Sequence, residues 1–393
     1  MIMSGNTEVL NQQLFDVIKK SLWNDGAAKA DEAIFREMTT HTIAPLAAPI
    51  LPELSLTPEL FSAWDDAVVK TVVKYRKYLR QQSFLPVSVP YVILKGTAAA
   101  QYYPYPEYRV MGDIDIMTRR EDHEKACAMM LADGYTEISE ENYKWHREFI
   151  KNGISVEVHA YFAVLNNQEY AKYLDHLIVD HINSSHLLPD LVNGLVVLEH
   201  ISHHLEDGLG LRQIIDWMMF VHRCLPDEQW PEFRKMAQHI GLEKLAVVLT
   251  RMCEMYLGLP ERGWCADADE ALCEKLMAYI LSCGNFGRKA KKDDALYHGN
   301  TLTKFKTAKV TFGILQQRGL LNWPAAQRHP VLRPLAWMYQ VGRYLKRGVF
   351  RPHPIGQLKA ELAVSRQLDV LFDSLGVKRL TKGIAKYDEY KKS

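Results

Sequence analysis

Arg109-Val110-Met111-Gly112-Asp113-Ile114-Asp115-Ile116-Met117 is the stretch whose reading decides the fold. In a β-strand successive side chains point to opposite faces, so residues i and i+2 share one. Read as a strand, this run puts Asp113 and Asp115 on one face and Ile114 and Ile116 on the other. The apolar side suits packing on helices, and the acidic side suits solvent or a ligand. The two aspartate Cα atoms fall roughly 6–7 Å apart. Their carboxylates can then converge on one cation, or on a pair about 3.5–4 Å apart. Aimed at one point with no cation between them, they repel.

Downstream, Ile154, Val156 and Val158 share one strand face, and Ser155, Glu157 and His159 share the other. Asn152-Gly153 joins this run to Tyr143–Ile150. Both residues tolerate the positive φ of a tight primed turn, so 143–150 and 154–162 are expected to pair as an antiparallel hairpin. If 154–162 also lies beside the aspartate strand, Glu157 becomes a third carboxylate. Upstream, Tyr91-Val92-Ile93-Leu94 reads as a buried strand, Lys95-Gly96-Thr97 as a turn, and Ala98–Tyr103 as a short helix stopped by Pro104 and Pro106. Gly96 permits close backbone approach, the helix N-terminus suits phosphate, and Thr97 adds a hydroxyl donor. Thr118-Arg119-Arg120-Glu121 reads as a capping box for a helix running to Ala132, ended by Asp133-Gly134.

A strand, a Gly-Ser/Thr turn and a helix, then Asp-x-Asp on a strand, then an acid on a later strand, resembles the polymerase-beta-like nucleotidyltransferases. More narrowly, Leu94-Lys95-Gly96, Arg109 with Asp113-Ile114-Asp115, and Val156-Glu157 with His159 resemble an uncharacterised bacterial nucleotidyltransferase family, over about 75 of the 393 residues. Gly96-Thr97 departs from the Gly-Ser or Gly-Gly usual in the broader superfamily, but threonine keeps the hydroxyl. The resemblance implies an α+β fold: a small mixed sheet embedded in N- and C-terminal helical regions. It implies transfer of a nucleoside monophosphate from a nucleoside triphosphate by a two-metal mechanism, with Mg²⁺ or Mn²⁺ held by Asp113, Asp115 and Glu157. Glu157 has an alternative role as general base. Gly96 and Thr97 would grip the β- and γ-phosphates, and Arg109 would steady the developing pyrophosphate charge. Lys95 has two readings, a phosphate contact, which is favoured, or an internal ion pair with a site acid. His159 would orient Glu157. The acceptor, whether small molecule, protein or RNA, is not legible.

Three regions are expected: helices at 1–87 packing on the core, the catalytic core at 88–165, and a helical domain at 166–393. Apolar stripes place helices at 6–22, about 29–41 and about 58–82, with a proline-containing connector between the last two. Further along, His200, His203 and His204 lie on one helical stretch, with Glu206 and Asp207 nearby. Without H-E-x-x-H spacing, a polar or capping role is favoured over metal binding. Gly210-Leu211-Arg212-Gln213 followed by Asp216-Trp217 also resembles the family. Arg212 and Asp216 could be only an i,i+4 pair. The sharper reading has His204, Arg212 and Asp216 lining the cleft opposite the carboxylates.

Hydrophobic residues make up 48%, ordinary for a globular protein. No run of 18 apolar residues is present and Met1–Gln13 has no signal-peptide core, so a cytoplasmic protein without a membrane span is expected. Cys127, Cys224, Cys253, Cys265, Cys273 and Cys283 form no C-x-x-C and fit reduced interior thiols. The net charge of +1 is uneven: 22 Lys and Arg face 7 Asp and Glu from residue 284 onward, against 26 and 40 before it. The loop Gly284–Asp294 could fold over phosphates, though a solvated segment is favoured. Trp323, Trp337, Tyr339 and Tyr344 are interleaved with Arg333, Arg343 and Arg347. That pattern gives the alternative function: binding of RNA or another anionic polymer, or a toxin–antitoxin-type regulator whose core binds nucleotide without turnover.

Overall fold

The computed structural model describes residues 5–138, 146–165, 167–182, 185–205, 208–287, 289, 312, 315–316, 319–320, 322–349 and 354–377. Tyr143–Trp145, Glu206, Asp207, Lys291–Asp294 and the lysine-rich tail from Lys378 therefore lie outside the described residues.

The amphipathic stripes fold as helices: α1 (Gly5–Trp23), α2 (Glu32–Thr40) and α3 (Pro58–Ser83). The proline-rich connector between the last two is a 3-10 stretch, Ala44–Glu53. Thr57 caps α3, its side chain accepting from Leu60 N, and Trp64 anchors the helix fully buried.

The sheet, five strands among the described residues, runs β1-β2-β5-β4-β3: β1 (Tyr91–Leu94), β2 (Ile114–Thr118), β3 (Thr136–Glu137), β4 (His146–Lys151) and β5 (Ile154–His159). β2 pairs antiparallel with β1 and parallel with β5, and β4 pairs antiparallel with β5 and β3. Asn152 (φ +55°) and Gly153 (φ +74°) both adopt the left-handed conformation that a primed hairpin turn requires.

Period-two alternation places Ile114, Ile116, Ile154, Val156 and Val158 in one core with Tyr78, Met111 and Phe149. Ala126, Cys127 and Met130 of α5 (His123–Ala132) cover it. Each buried Ile, Val, Met or Phe among them contributes about 1.5–3 kcal/mol. The opposite face is left for polar chemistry.

One expectation fails here. Thr118 does not cap α5. It is the last residue of β2, paired with Tyr91, and its buried hydroxyl has no hydrogen-bond partner. A 3-10 turn at Arg120–Asp122 leads into α5 instead. Ladder pairing on β2 outcompetes the local cap.

α4 (Gly96–Ala100) follows β1, and beyond the sheet lie α6 (Gln168–Asp180), α7 (Asp190–His204), α8 (Leu211–Cys224), α9 (Trp230–His239), α10 (Glu243–Leu257) and α11 (Glu270–Cys283). α7 and α8 approach so closely at Gly194 that an added Cβ would fall on the Phe220 ring. The chain forms two compact units. The first extends to Leu165 and resumes from Glu169 to Lys289; it holds the sheet and these helices. The second is Asn166–Gln168 with Ala290–Ser393, and it has helices at Pro324–Arg328, Ala336–Val349 and Pro354–Ser374. Within it Trp323 stacks on Tyr339 with ring centroids 5.1 Å apart. The side chains of Tyr344 and Arg347 lie outside the described residues. All six cysteines are free thiols, five of them buried. Among the described residues, no helix is long and apolar enough to cross a membrane.

Candidate active site

The β2–β5 register sets Asp115 directly opposite Glu157, and Asp113 lies just before β2. One oxygen from each of Asp113, Asp115 and Glu157 falls within 4.8 Å of the other two. Asp115 is 1% exposed, and its Oδ2 has no hydrogen-bond partner. A buried carboxylate oxygen left unpaired is costly.

Two cations balance the three acids in part. Lys95 Nζ lies 2.7 Å from Asp115 Oδ1, and His159 Nε2 lies 3.0 Å from the same oxygen and 3.1 Å from Glu157 Oε2. Burial works against the Lys95 charge, but Asp115, Asp113 and Glu157 outweigh it and hold the ammonium's pKa above its usual value. Burial also works against the His159 imidazolium, yet hydrogen bonds to Asp115 and Glu157 raise it to about 9. Burial alone would raise Glu157; the bond from His159 reverses this and holds it at about 2. Asp113 is pushed up, first by its neighbour Asp115 and then by burial. An unpartnered buried oxygen within a tight oxygen cluster fits a hard divalent cation, which prefers carboxylate oxygens.

The backbone enters the site at an unusual angle. Lys95 has φ +50° and ψ −135°, and Gly96 has φ +30° with Asp113 O at 3.4 Å from where its Cβ would stand. For a non-glycine residue such a conformation costs about 1–3 kcal/mol. The Lys95–Asp115 ion pair compensates. Thr97 Oγ1 donates to Gln82 Oε1 at 2.6 Å.

Arg109 is a correction to the sequence reading. Its guanidinium does not stand free for phosphate: Nε donates to Asp216 Oδ1 at 2.6 Å and Nη2 to Asp216 Oδ2 at 2.7 Å, with both residues 4% exposed. Asp216 outweighs burial and keeps Arg109 charged. Tyr103 OH also donates to Asp216 Oδ1, at 2.7 Å. This fork ties the lead-in of β2 to α8. Asp216 thus serves Arg109, and Arg212 donates through Nη1 to Val110 O at 3.0 Å. Lys95, read first as a phosphate contact, makes the internal ion pair.

Sequence reasoning saw no chemistry on α3, yet α3 fixes the approach to Asp113. Lys74 Nζ donates to Met111 O at 2.8 Å, and Tyr78 OH donates to Gly112 O. With Arg212 on Val110 O, three successive carbonyls are held from two helices. Arg212 is 9% exposed, its Nε has no hydrogen-bond partner, and burial followed by Arg109 works against its charge. Two buried acids were also missed: Glu199 accepts from Val164 N at 2.7 Å, and Asp175 accepts from Phe162 N and Ala163 N, so together they hold the exit of β5. Burial pushes Glu199 up to about 8.

On α7 the ring of His204 meets the rings of His200 and His203 edge-on, at 4.5 and 4.9 Å. Burial, then His204, Lys95 and Arg212, push His200 well below its usual pKa. Among the described residues these three imidazoles form no metal-capable group.

No curated protein and no solved structure is significantly similar to the chain. Residues 28–258, more than half of the sequence, match a family described as uncharacterised nucleotidyltransferase, and the chain belongs to that family.

Proposed function

We propose that this protein transfers a nucleoside monophosphate from a nucleoside triphosphate to an acceptor hydroxyl, phosphate or amine. The observation that carries the reading is the three-carboxylate cluster on β2 and β5, with an unpartnered buried oxygen on Asp115, next to the Gly96 turn. Asp113, Asp115 and Glu157 would hold divalent ions, Mg²⁺ or Mn²⁺. When bound, such ions neutralise the triphosphate and lower the pKa of the attacking group.

The remaining work belongs to the chain's own residues. Gly96 and Thr97 bring backbone close to the phosphates. Arg212 and Lys74 flank Asp113, and they take the polyphosphate. Arg109 acts at one remove, as a positioning residue that fixes the start of β2 through Asp216. Glu157, ionised with a pKa of about 2, is a weak base and serves as a ligand. His159, with a pKa of about 9, is protonated at neutral pH and orients Glu157 and Asp115. His200 on α7 lies near enough to Lys95 and Arg212 for both to oppose its charge.

The test is to incubate the full chain with α-labelled triphosphates, Mg²⁺ and a cell extract, and to identify what becomes labelled. An Asp113→Asn, Asp115→Asn double variant should label nothing. Equal labelling by that variant defeats the reading.

A further inference from the structure

The polar face of the sheet carries two adjacent rungs of different chemistry. Across β2, β5 and β4 one rung is Asp115, Glu157 and Glu148, and the next is Met117, His159 and His146. His146 and His159 are direct cross-strand partners with ring centroids 4.8 Å apart. Glu157 faces both: its Oε2 lies 3.1 Å from His159 Nε2, and its Oε1 lies 3.6 Å from His146 Nε2. The three ligand atoms all fall within 4.8 Å of one another. A tetrahedral ion with bonds of about 2.0–2.1 Å spaces its ligand atoms roughly 3.3–3.4 Å apart. The Glu157 Oε2–His159 Nε2 separation lies close to that spacing, and the other Glu157 oxygen faces His146.

The donor set differs from the neighbouring one. Three carboxylates suit Mg²⁺, whereas two imidazoles and a carboxylate suit zinc, cobalt or iron. We propose that His146, Glu157 and His159 form a second cation site, for an imidazole-binding divalent ion of the Zn²⁺ and Co²⁺ class. It shares Glu157 with the three-carboxylate group, and the ion takes the place of the Nε2 proton that His159 otherwise directs at Asp115 and Glu157. Both Glu157 oxygens face imidazoles, so an ion here draws Glu157 away from Asp113 and Asp115. Occupation needs no nucleotide, so the proposal stands or falls separately from nucleotidyl transfer.

The test is a Co²⁺ titration of the full chain without nucleotide, followed by visible absorption. The wild type should develop the d–d bands of four- or five-coordinate Co²⁺. His146→Gln and His159→Gln should each weaken Co²⁺ binding by more than about tenfold, the smaller loss known for removal of outer-shell partners alone. The Asp113→Asn, Asp115→Asn variant should keep the bands. Circular dichroism and a melt in chelator identify folded variants, and His146→Asn replaces any that melts early. A wild-type spectrum equal to that of Co²⁺ in buffer overturns the proposal. So does unchanged binding by the histidine variants, or loss of the bands only in the aspartate variant.

Discussion

Lys95 Nζ sits 2.7 Å from Asp115 Oδ1, which makes a lysine the resident counter-ion of the carboxylate cluster. The strained backbone at Lys95 delivers it there. An ammonium and a divalent cation compete to neutralise the same carboxylate. Lys95→Met should leave the 1%-exposed Asp115 with His159 but without its ammonium partner and cost up to about 3–5 kcal/mol in metal-free protein. Adding Mg²⁺ should then raise the melting temperature of the variant more than that of the wild type, because ion binding to the folded state now restores the missing charge. Thermal melts with and without Mg²⁺ check this; an equal rise in both proteins counts against it.

The Arg109–Asp216 fork predicts a structural penalty rather than a purely catalytic one. Asp216→Ala strands a buried guanidinium and should cost about 3–5 kcal/mol in urea unfolding. A stability within error of wild type would show that the fork does not hold β2 to α8.

Arg212 predicts the opposite pattern. Its charge is buried with an unpartnered Nε, so relief of that charge offsets the lost bond to Val110 O, and Arg212→Met should cost little stability. Triphosphate binding should weaken roughly 10–100-fold, the equivalent of losing a charged hydrogen bond of about 1.5–3 kcal/mol. Equilibrium binding of a non-hydrolysable triphosphate, read beside urea unfolding, separates the two effects. Unchanged binding removes Arg212 from the phosphate site.

His41 gives a pH prediction away from the site. It is fully buried, its Nδ1 accepts from Leu211 N at 3.3 Å, and burial followed by Lys289 lowers its pKa from 6.5 to about 3. The unfolded chain binds the proton first. Stability from this group is complete above 6.5 and is lost as pH falls toward about 3. Below pH of about 6, wild type should lose up to about 1.4 kcal/mol per pH unit more than His41→Gln. Parallel slopes for the two proteins would contradict it.

Much of the core was legible because its signals are local. The alternation of Ile114, Asp115 and Ile116, and the Asn152-Gly153 turn, fix which side chains share a face. A two-residue hairpin also fixes register, so the pairing of His146 with His159 was calculable from the turn alone. The roles of Lys74, Tyr78, Gln82 and Glu199 were not legible. Each depends on contacts far along the chain, such as Lys74 with Met111 and Glu199 with Val164, and helical periodicity carries no trace of them. Arg109 was misread for the same reason: its partner lies 107 residues away. Thr118 failed as a cap because the sheet claimed it.

The most direct measurement compares α-labelled with γ-labelled triphosphate in the presence of Mg²⁺ and extract. Nucleotidyl transfer at Asp113, Asp115 and Glu157 predicts that the α-label joins the acceptor, the γ-label leaves as pyrophosphate, and the aspartate double variant does neither. Acceptor labelling from the γ-phosphate, or α-labelling that survives in that variant, would contradict the account.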